Sequence, residues 1–472
     1  MSERRAEALA FGALALAAFV AWLLVVTYPN YDSYYHLVWG RELLGGALPS
    51  FDAYAAPTPH PLWLAVSTLA SLAGESGDRL LVLVCVLAHV AFTWAVFRLG
   101  SAVWDRRAGA AGALLAGSAF ALLLYTARAY VDIPYLALVF WAAALEAERP
   151  RRGRPVLALL ALAGLLRPEG WLLSGLYVLR LARAEGRWDR AALLRAAPWA
   201  AAPPLLWMLC DLLVTGDPIW SLNATSALAE DLGRDTGLVS ALREGAVFLG
   251  GTAREPVAVA GLVGAALAWR RREGSAAYVL VALAAAGTAA FLLTSAAGLS
   301  VLPRYLTVPA VVLCLCCGYL VTRTRWLLAL AVLGALLVVG VRSDVFGRLA
   351  TELRFIRTTR DDLRSLVHDP RVNAARGCGP VMLPNYRLVP DTRWSLDSDQ
   401  VRARSDDQDR PPRYGPVIVY TGEKLIDRYG KAAGASLKTN VPPRVFTEVA
   451  TRGGLTAYAS PGRSCLPARS AR

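Results

Sequence analysis

The chain has 472 residues, 56% of them hydrophobic, and a mean hydropathy of +0.41. Apolar residues at that density, gathered in long blocks, exclude an ordinary soluble domain and indicate a multi-span helical membrane protein. The net charge of +14 is spread over loop arginines and a basic tail, with 23 Lys and Arg against 14 Asp and Glu in residues 342–472. That distribution points to topology and anionic lipid, not to nucleic acid.

The first apolar run, residues 8–27, is long enough to cross a bilayer, which takes about 20 residues. It is too long for a signal peptide and no convincing small-residue cleavage site follows it, so it reads as a retained first helix. Further runs at 79–100, 108–125, 131–147, 155–167, 169–183, 192–214, 255–269, 276–297, 303–320 and 326–341 bring the expected spans to about eleven. The shorter run 61–74 (PLWLAVSTLASLAG) predicts a half-inserted helix on the outer face.

Arginine placement gives the sidedness. With the N-terminus inside, the basic loops at 104–107, 148–154, 180–190, 269–272 and 322–325 all fall on one face, as the positive-inside bias requires. An odd number of spans then places the tail outside. The expected protein is a multi-pass plasma (inner) membrane protein with a cytoplasmic N-terminus and an extracytoplasmic C-terminal domain. The runs 155–167 and 169–183 are short, and merging them into one kinked helix would spoil the alternation of basic loops. Arg167-Pro168-Glu169-Gly170 therefore reads as a tight outer turn.

Two domains are expected: a membrane module over 1–342, with a first outer loop at 28–78, and a small mixed α/β domain over 343–472. In the tail, GPVIVYTG (415–422) and RVFTEVA (444–450) read as strands and 402–413 as an exposed loop. Cys85, Cys210, Cys314, Cys316 and Cys317 lie in apolar runs, where cysteine behaves as a small hydrophobe. Cys378 and Cys465 are the two in the outward-facing tail, which suggests a disulfide between them.

The candidate chemistry gathers at the outer face. Asp32 follows the first span, and an acid at a membrane boundary is a functional-site hypothesis by default. The stretch from Ser33 to Gly45 has helical apolar spacing and predicts an amphipathic surface helix, for which Asp32 would also serve as N-cap. His36 and His60 lie in the same loop. Asp132 opens the fourth span, preceded by Arg128. Two carboxylates at one depth suit a shared proton or a divalent cation, magnesium or manganese. Arg167 in the RPEG turn, next to Glu169, and Arg304 in PRY are placed for a phosphate, and Tyr305 for the aromatic belt. The sequence contains no P-loop, dinucleotide fingerprint, nucleophile elbow or HExxH, so no nucleotide cofactor is expected.

An Asp directly after the first span, an RELLGG segment and a Pro-rich HPLW leading into a surface helix resemble the GT-C superfamily. These are polytopic, polyprenyl-phosphate-sugar-dependent glycosyltransferases. The style is similar to the lipid A aminoarabinose transferase, protein O-mannosyltransferase and cell-envelope arabinofuranosyl- and mannosyltransferase branches. The resemblance implies an all-α polytopic fold with a small C-terminal α/β domain. It implies hexosyl or pentosyl transfer from a lipid-phosphate sugar to a glycan, lipid or protein acceptor outside the membrane. Asp32 and Asp132 take the places of the family's loop acids; the first loop has Asp-Ser where many relatives have paired acids. Arg128, Arg167 and Arg304 would hold the donor phosphate, and His36, His60, Glu169 and Tyr305 would line the substrate. The alternatives are a transporter or flippase of lipid-linked sugars and a non-catalytic envelope-assembly scaffold.

Overall fold

The structure, a computed structural model, describes residues 3–53, 55–184, 187–323, 334, 345–404, 414–429 and 440–460. The helices of the first half are α1 (Glu3–Leu24), α2 (Tyr31–Leu44), α3 (Pro61–Ser71), α4 (Gly77–Val103), α5 (Arg106–Gly117), α6 (Phe120–Ala127), α7 (Asp132–Glu148), α8 (Arg154–Leu166) and α9 (Glu169–Ala182). A short hairpin, β1 (Arg183–Ala184) and β2 (Arg187–Trp188), leads to α10 (Arg190–Thr215), α11 (Trp220–Asp231), α12 (Gly237–Ala253), α13 (Glu255–Arg271), α14 (Ala277–Ala296) and α15 (Thr307–Arg323).

Among the described residues, five helices are long and apolar enough to cross a membrane, or seven if the bent pairs α5–α6 (59°) and α12–α13 (100°) each count as one span. The expected total of about eleven is not reached by length, because the runs at α7, α8 and α9 form helices of 17, 13 and 14 residues. The run 326–341 lies outside the described residues. The turn between α8 and α9 is a tight hairpin, as expected. The Gly153 N–H, at the start of α8, donates to Tyr177 Oη near the end of α9 at 3.0 Å. Pro168 ends α8 because the residue before a proline is pushed out of the helical region.

Small residues let the helices close. A Cβ on Gly100 would sit 2.7 Å from the Gly109 Cα, and one on Gly318 would sit 2.5 Å from the Gly112 nitrogen. Only glycine permits such backbone approach between helices, a packing device common in membranes. The five described free cysteines include the fully buried Cys314, Cys316 and Cys317 of α15.

The tail contributes α16 (Val345–Val367), α17 (Pro370–Arg376), α18 (Val389–Leu396), α19 (Glu423–Tyr429) and a five-stranded sheet. Its strands, β3 (Val381–Leu383), β4 (Val401–Ala403), β5 (Val417–Tyr420), β6 (Thr447–Arg452) and β7 (Leu455–Ala459), lie in the order β4-β3-β5-β7-β6. β3 runs parallel to β4 and β5; the β5–β7 and β6–β7 pairs are antiparallel. The two expected strands are present. β4 occupies the beginning of the segment expected to be a loop, and 405–413 lies outside the described residues. Cys378 is disulfide-bonded; Cys465, its expected partner, lies outside the described residues.

Two expectations about α2 are corrected. Tyr31–Leu44 is a helix, but Asp32 through Gly40 are all buried, so it is no surface helix. α3 covers one side of it and α18 of the tail another. Its N-cap is Asn30, whose side chain accepts from the Ser33 N–H at 2.9 Å; Asp32 sits inside the first turn. The cap satisfies an end donor that has no intrahelical partner and leaves the Asp32 carboxylate available for other contacts.

Arg360 of α16 holds the tail to the membrane half. Its guanidinium donates to Asp78 of α4 at 2.7 Å and to Asp391 of α18 at 3.1 Å, and lies 3.5 Å from the Tyr28 ring centroid. Arg41 of α2 adds a bond to Asp397 at 2.6 Å and lies 3.7 Å from the Trp394 ring centroid. Removing one partner from a buried charge cluster costs about 3–5 kcal/mol. Arg360→Ala should therefore lower the Tm in detergent sharply. Arg357→Ala, which loses only a half-exposed pair with Asp361, should change stability by no more than about 0.5 kcal/mol.

Candidate active site

The site begins where the first loop meets the loop before α7. The Asn30 N–H donates to the Arg128 carbonyl at 2.7 Å, and Ser33 Oγ donates to the Ala129 carbonyl at 2.6 Å. Ala129 is buried and has φ +50°, in the left-handed region that costs a non-glycine residue about 1–2 kcal/mol. These two bonds hold the strained turn and fix the start of α2 against it. Trp63 Nε1 of α3 donates to the same Ser33 Oγ at 3.0 Å, so Ser33 ties three segments together.

From this base Asp32 faces a cavity of about 450 Å³ between the bundle and the tail. Arg304 Nη1, in the 3₁₀ turn Pro303–Leu306, donates to Asp32 Oδ2 at 3.1 Å. Asp32 is 7% exposed, and its Oδ1 has no hydrogen-bond partner. Six arginines line the cavity (Arg128, Arg234, Arg304, Arg360, Arg387 and Arg428) against three acids (Asp32, Glu352 and Asp391). Arg360 is committed to Asp78 and Asp391, and Arg428 to Glu352. Arg128 Nη1 and Arg304 Nε are buried without partners. Arg234 and Arg387 both donate to Tyr386 Oη, a neutral acceptor, at 3.2 and 3.3 Å. The cavity therefore carries excess positive charge facing one carboxylate. Six tyrosines, Tyr28, Tyr31, Tyr34, Tyr125, Tyr130 and Tyr429, complete its wall.

The other candidates lie behind this cavity and do not line it. Asp132, fully buried at the start of α7, is ion-paired to Arg167, which also donates to Glu169 at 2.6 Å. The Arg167 guanidinium lies 5.0 Å from the Tyr305 ring centroid. Arg167, expected to hold a phosphate, is occupied by two carboxylates and an aromatic face, so it acts as a structural centre beneath the site. Asp132 and Arg304 still interact electrostatically, so the two ion pairs are neighbours. His36 Nε2 accepts from the His60 N–H at 3.1 Å, which places the ring proton on Nδ1, donating to the Asp32 carbonyl at 2.7 Å. The His36 and His60 rings stack at 5.4 Å. Both support the Asp32 backbone and neither enters the cavity.

A divalent cation was expected between Asp32 and Asp132. No group of three or more His, Cys, Asp or Glu is assembled among the described residues. Each of the two carboxylates pairs with a guanidinium through one oxygen and keeps its other oxygen, Asp32 Oδ1 or Asp132 Oδ2, without a partner. Arginine supplies the positive charge next to both.

Arg128 and Arg304 were legible from the sequence; Arg234, Arg387 and Arg428 were not. They sit among many other arginines, and only the docking of the tail sets them apart.

No family model and no curated protein matches the sequence. Solved structures do. ArnT from Cupriavidus metallidurans in the apo state is 14% identical and aligns with a TM-score of 0.59 over 97% of this chain and 98% of its own. ArnT bound to undecaprenyl phosphate aligns with a TM-score of 0.56 over 96% and 97%, again at 14% identity. An oligosaccharyltransferase from Archaeoglobus fulgidus, tethered with an acceptor peptide, is 12% identical with a TM-score of 0.49 over 85% of this chain and 64% of its own. The chain thus shares the fold of ArnT, and its apolar helices are those of a polytopic helical membrane protein. It follows the architecture of ArnT from end to end, tail included.

Two outcomes follow from the buried groups. Arg167→Ala leaves Asp132 and Glu169 buried without their cation and should cost about 3–5 kcal/mol, read as a lower Tm. Burial pushes the His36 imidazole down to about 4 and, with Arg167 and Arg304 near it, holds His60 well below its usual value. Both are therefore neutral when folded, and unfolding releases groups that bind protons more readily. Stability should be full above about pH 6.5, the ordinary histidine value, and should fall as pH drops toward 4. A His36→Gln variant should flatten that part of the thermal-stability profile.

Proposed function

We propose that this protein transfers a hexosyl or pentosyl group from a polyprenyl-phosphate donor to a glycan, lipid or protein acceptor of the cell envelope, on the outer face of the membrane. One observation carries the reading: a carboxylate with one free, buried oxygen faces an arginine-walled cavity at the junction of the bundle and the tail. The GT-C fold supports it, as does undecaprenyl phosphate, a polyprenyl phosphate, as the ligand of ArnT.

Asp32 Oδ1 accepts the proton of the acceptor hydroxyl as the acceptor oxygen attacks the anomeric carbon. Arg304 holds Oδ2 and so fixes the carboxylate plane. The bond between the anomeric carbon and the donor phosphate oxygen breaks, and its electron pair leaves with the polyprenyl phosphate. In-line attack inverts the anomeric centre. The growing negative charge on the phosphate is met by preorganised arginines, a stabilisation exerted most strongly in the transition state. Arg128 and Arg304, with buried unpartnered nitrogens, are placed for this.

The test is transfer in proteoliposomes supplied with a polyprenyl-phosphate sugar. Asp32→Asn, whose amide oxygen can still accept from Arg304, should lower kcat by about 10²–10⁴-fold, the usual weight of a general base, in protein that a thermal melt shows to be folded. Full activity in that folded variant overturns the reading. Arg128→Ala should raise the donor KM by roughly tenfold or more, the loss of a charge-assisted hydrogen bond. Chelation with EDTA should leave the rate unchanged; a loss restored by magnesium or manganese would reinstate the metal.

A further inference from the structure

At the end of the bundle away from Asp32, α1, α4, α5 and α7 enclose a second cavity of about 640 Å³. On α4, Asp78 contacts Arg360 beside the first cavity, and Arg98 lines the second. The roughly 20 residues between them rise about 30 Å, the thickness of a bilayer's hydrocarbon core. The second cavity therefore lies at the opposite, arginine-rich face, which the positive-inside bias assigns to the cytoplasm.

Its charges do not balance. Glu7 accepts from Trp94 Nε1 at 2.9 Å and from Arg106 at 3.4 Å, and Glu148 pairs with Arg98 at 2.5 Å. Both acids are thereby engaged. Arg149 and Arg152 line the same cavity, are exposed, and have no acidic partner among the described residues. Trp94 and Trp141 meet edge to face at 5.6 Å, an aromatic wall of the kind found at headgroup depth. α1 closes this wall with Phe11, stacked on Trp94 at 5.3 Å. Two free guanidiniums beside an aromatic wall at headgroup depth match a lipid phosphate whose acyl chains stay in the bilayer.

We propose that this cavity binds an anionic phospholipid of the cytoplasmic leaflet through its phosphate. Basic clefts between spans at that face are where anionic headgroups are held. The proposal is independent of the transfer reaction.

The experiment uses the delipidated full-length protein in detergent. Native mass spectrometry and thermal shift are recorded with phosphatidylglycerol, cardiolipin, phosphatidylcholine and inorganic phosphate. Phosphatidylglycerol or cardiolipin should bind and raise the Tm, and phosphatidylcholine should not. The double variant R149A/R152A should bind the anionic lipid about 30-fold more weakly, R149K/R152K should retain most of the affinity, and Arg243→Ala, an exposed arginine that lines neither cavity, should leave it unchanged. Equal binding of phosphatidylcholine, or undiminished binding by R149A/R152A, overturns the proposal. Displacement of the lipid by inorganic phosphate at equal concentration also overturns it, because it would mark a free-anion site.

Discussion

The contact between Asp32 and Arg304 joins residues 272 positions apart. A carboxylate this buried requires a positive partner, since an isolated charge out of water is heavily penalised. Supplying that partner constrains much of the molecule. The turn before α15 has to reach α2, so Arg304 sets where the last described span of the bundle begins. The Asn30 cap and the Ser33 bonds then fix which face of α2 points at the arginine. His36 and Trp63 lock the same helix from behind. With one carboxylate oxygen held and the other free, the group keeps its reactivity in a defined direction.

Arginine serves three purposes in the chain, and the environment distinguishes them. At the basic loops it marks a membrane face. At Arg167 and Arg360 it is surrounded by carboxylates and aromatic rings and acts as a fastener. At Arg128 and Arg304 it lines the cavity without a cluster of carboxylates around it and keeps a nitrogen free of partners, as Arg360 does at Nη1, which suits an incoming anion. A planar fork with five donors can satisfy a protein partner and still present an unused edge.

Much of this was legible in the sequence. Hydropathy and arginine placement revealed the membrane class and the expected sidedness, because both arise from local interactions with the bilayer. The Arg167-Pro168 turn was legible because proline restricts its neighbour whatever the tertiary context. The burial of α2 was not, because its cover comes from α18, some 350 residues later in the chain. Its run of Tyr, His and Trp residues, which resembles an interfacial helix, instead forms a contact surface for the tail. The pairing of Arg167 with Glu169 is local to the turn, whereas its second carboxylate, Asp132, is brought to it from another helix, which the local sequence does not reveal. Counting apolar runs leads to about eleven spans, whereas five to seven pass on helix length among the described residues, because α7, α8 and α9 carry the hydropathy of spans on 17, 13 and 14 residues.

The cavity wall is shared between the two halves of the chain, and this has a consequence for biosynthesis. Asp32 is synthesised more than 350 residues before Arg387 and Arg428. While the bundle inserts, the carboxylate is present but part of its cationic wall is missing. The assembled cavity appears only once α16 brings the tail into place and Arg360 engages Asp78. Its wall is thus completed by docking of the tail, and a chain without the tail would hold the acid without the full arginine wall.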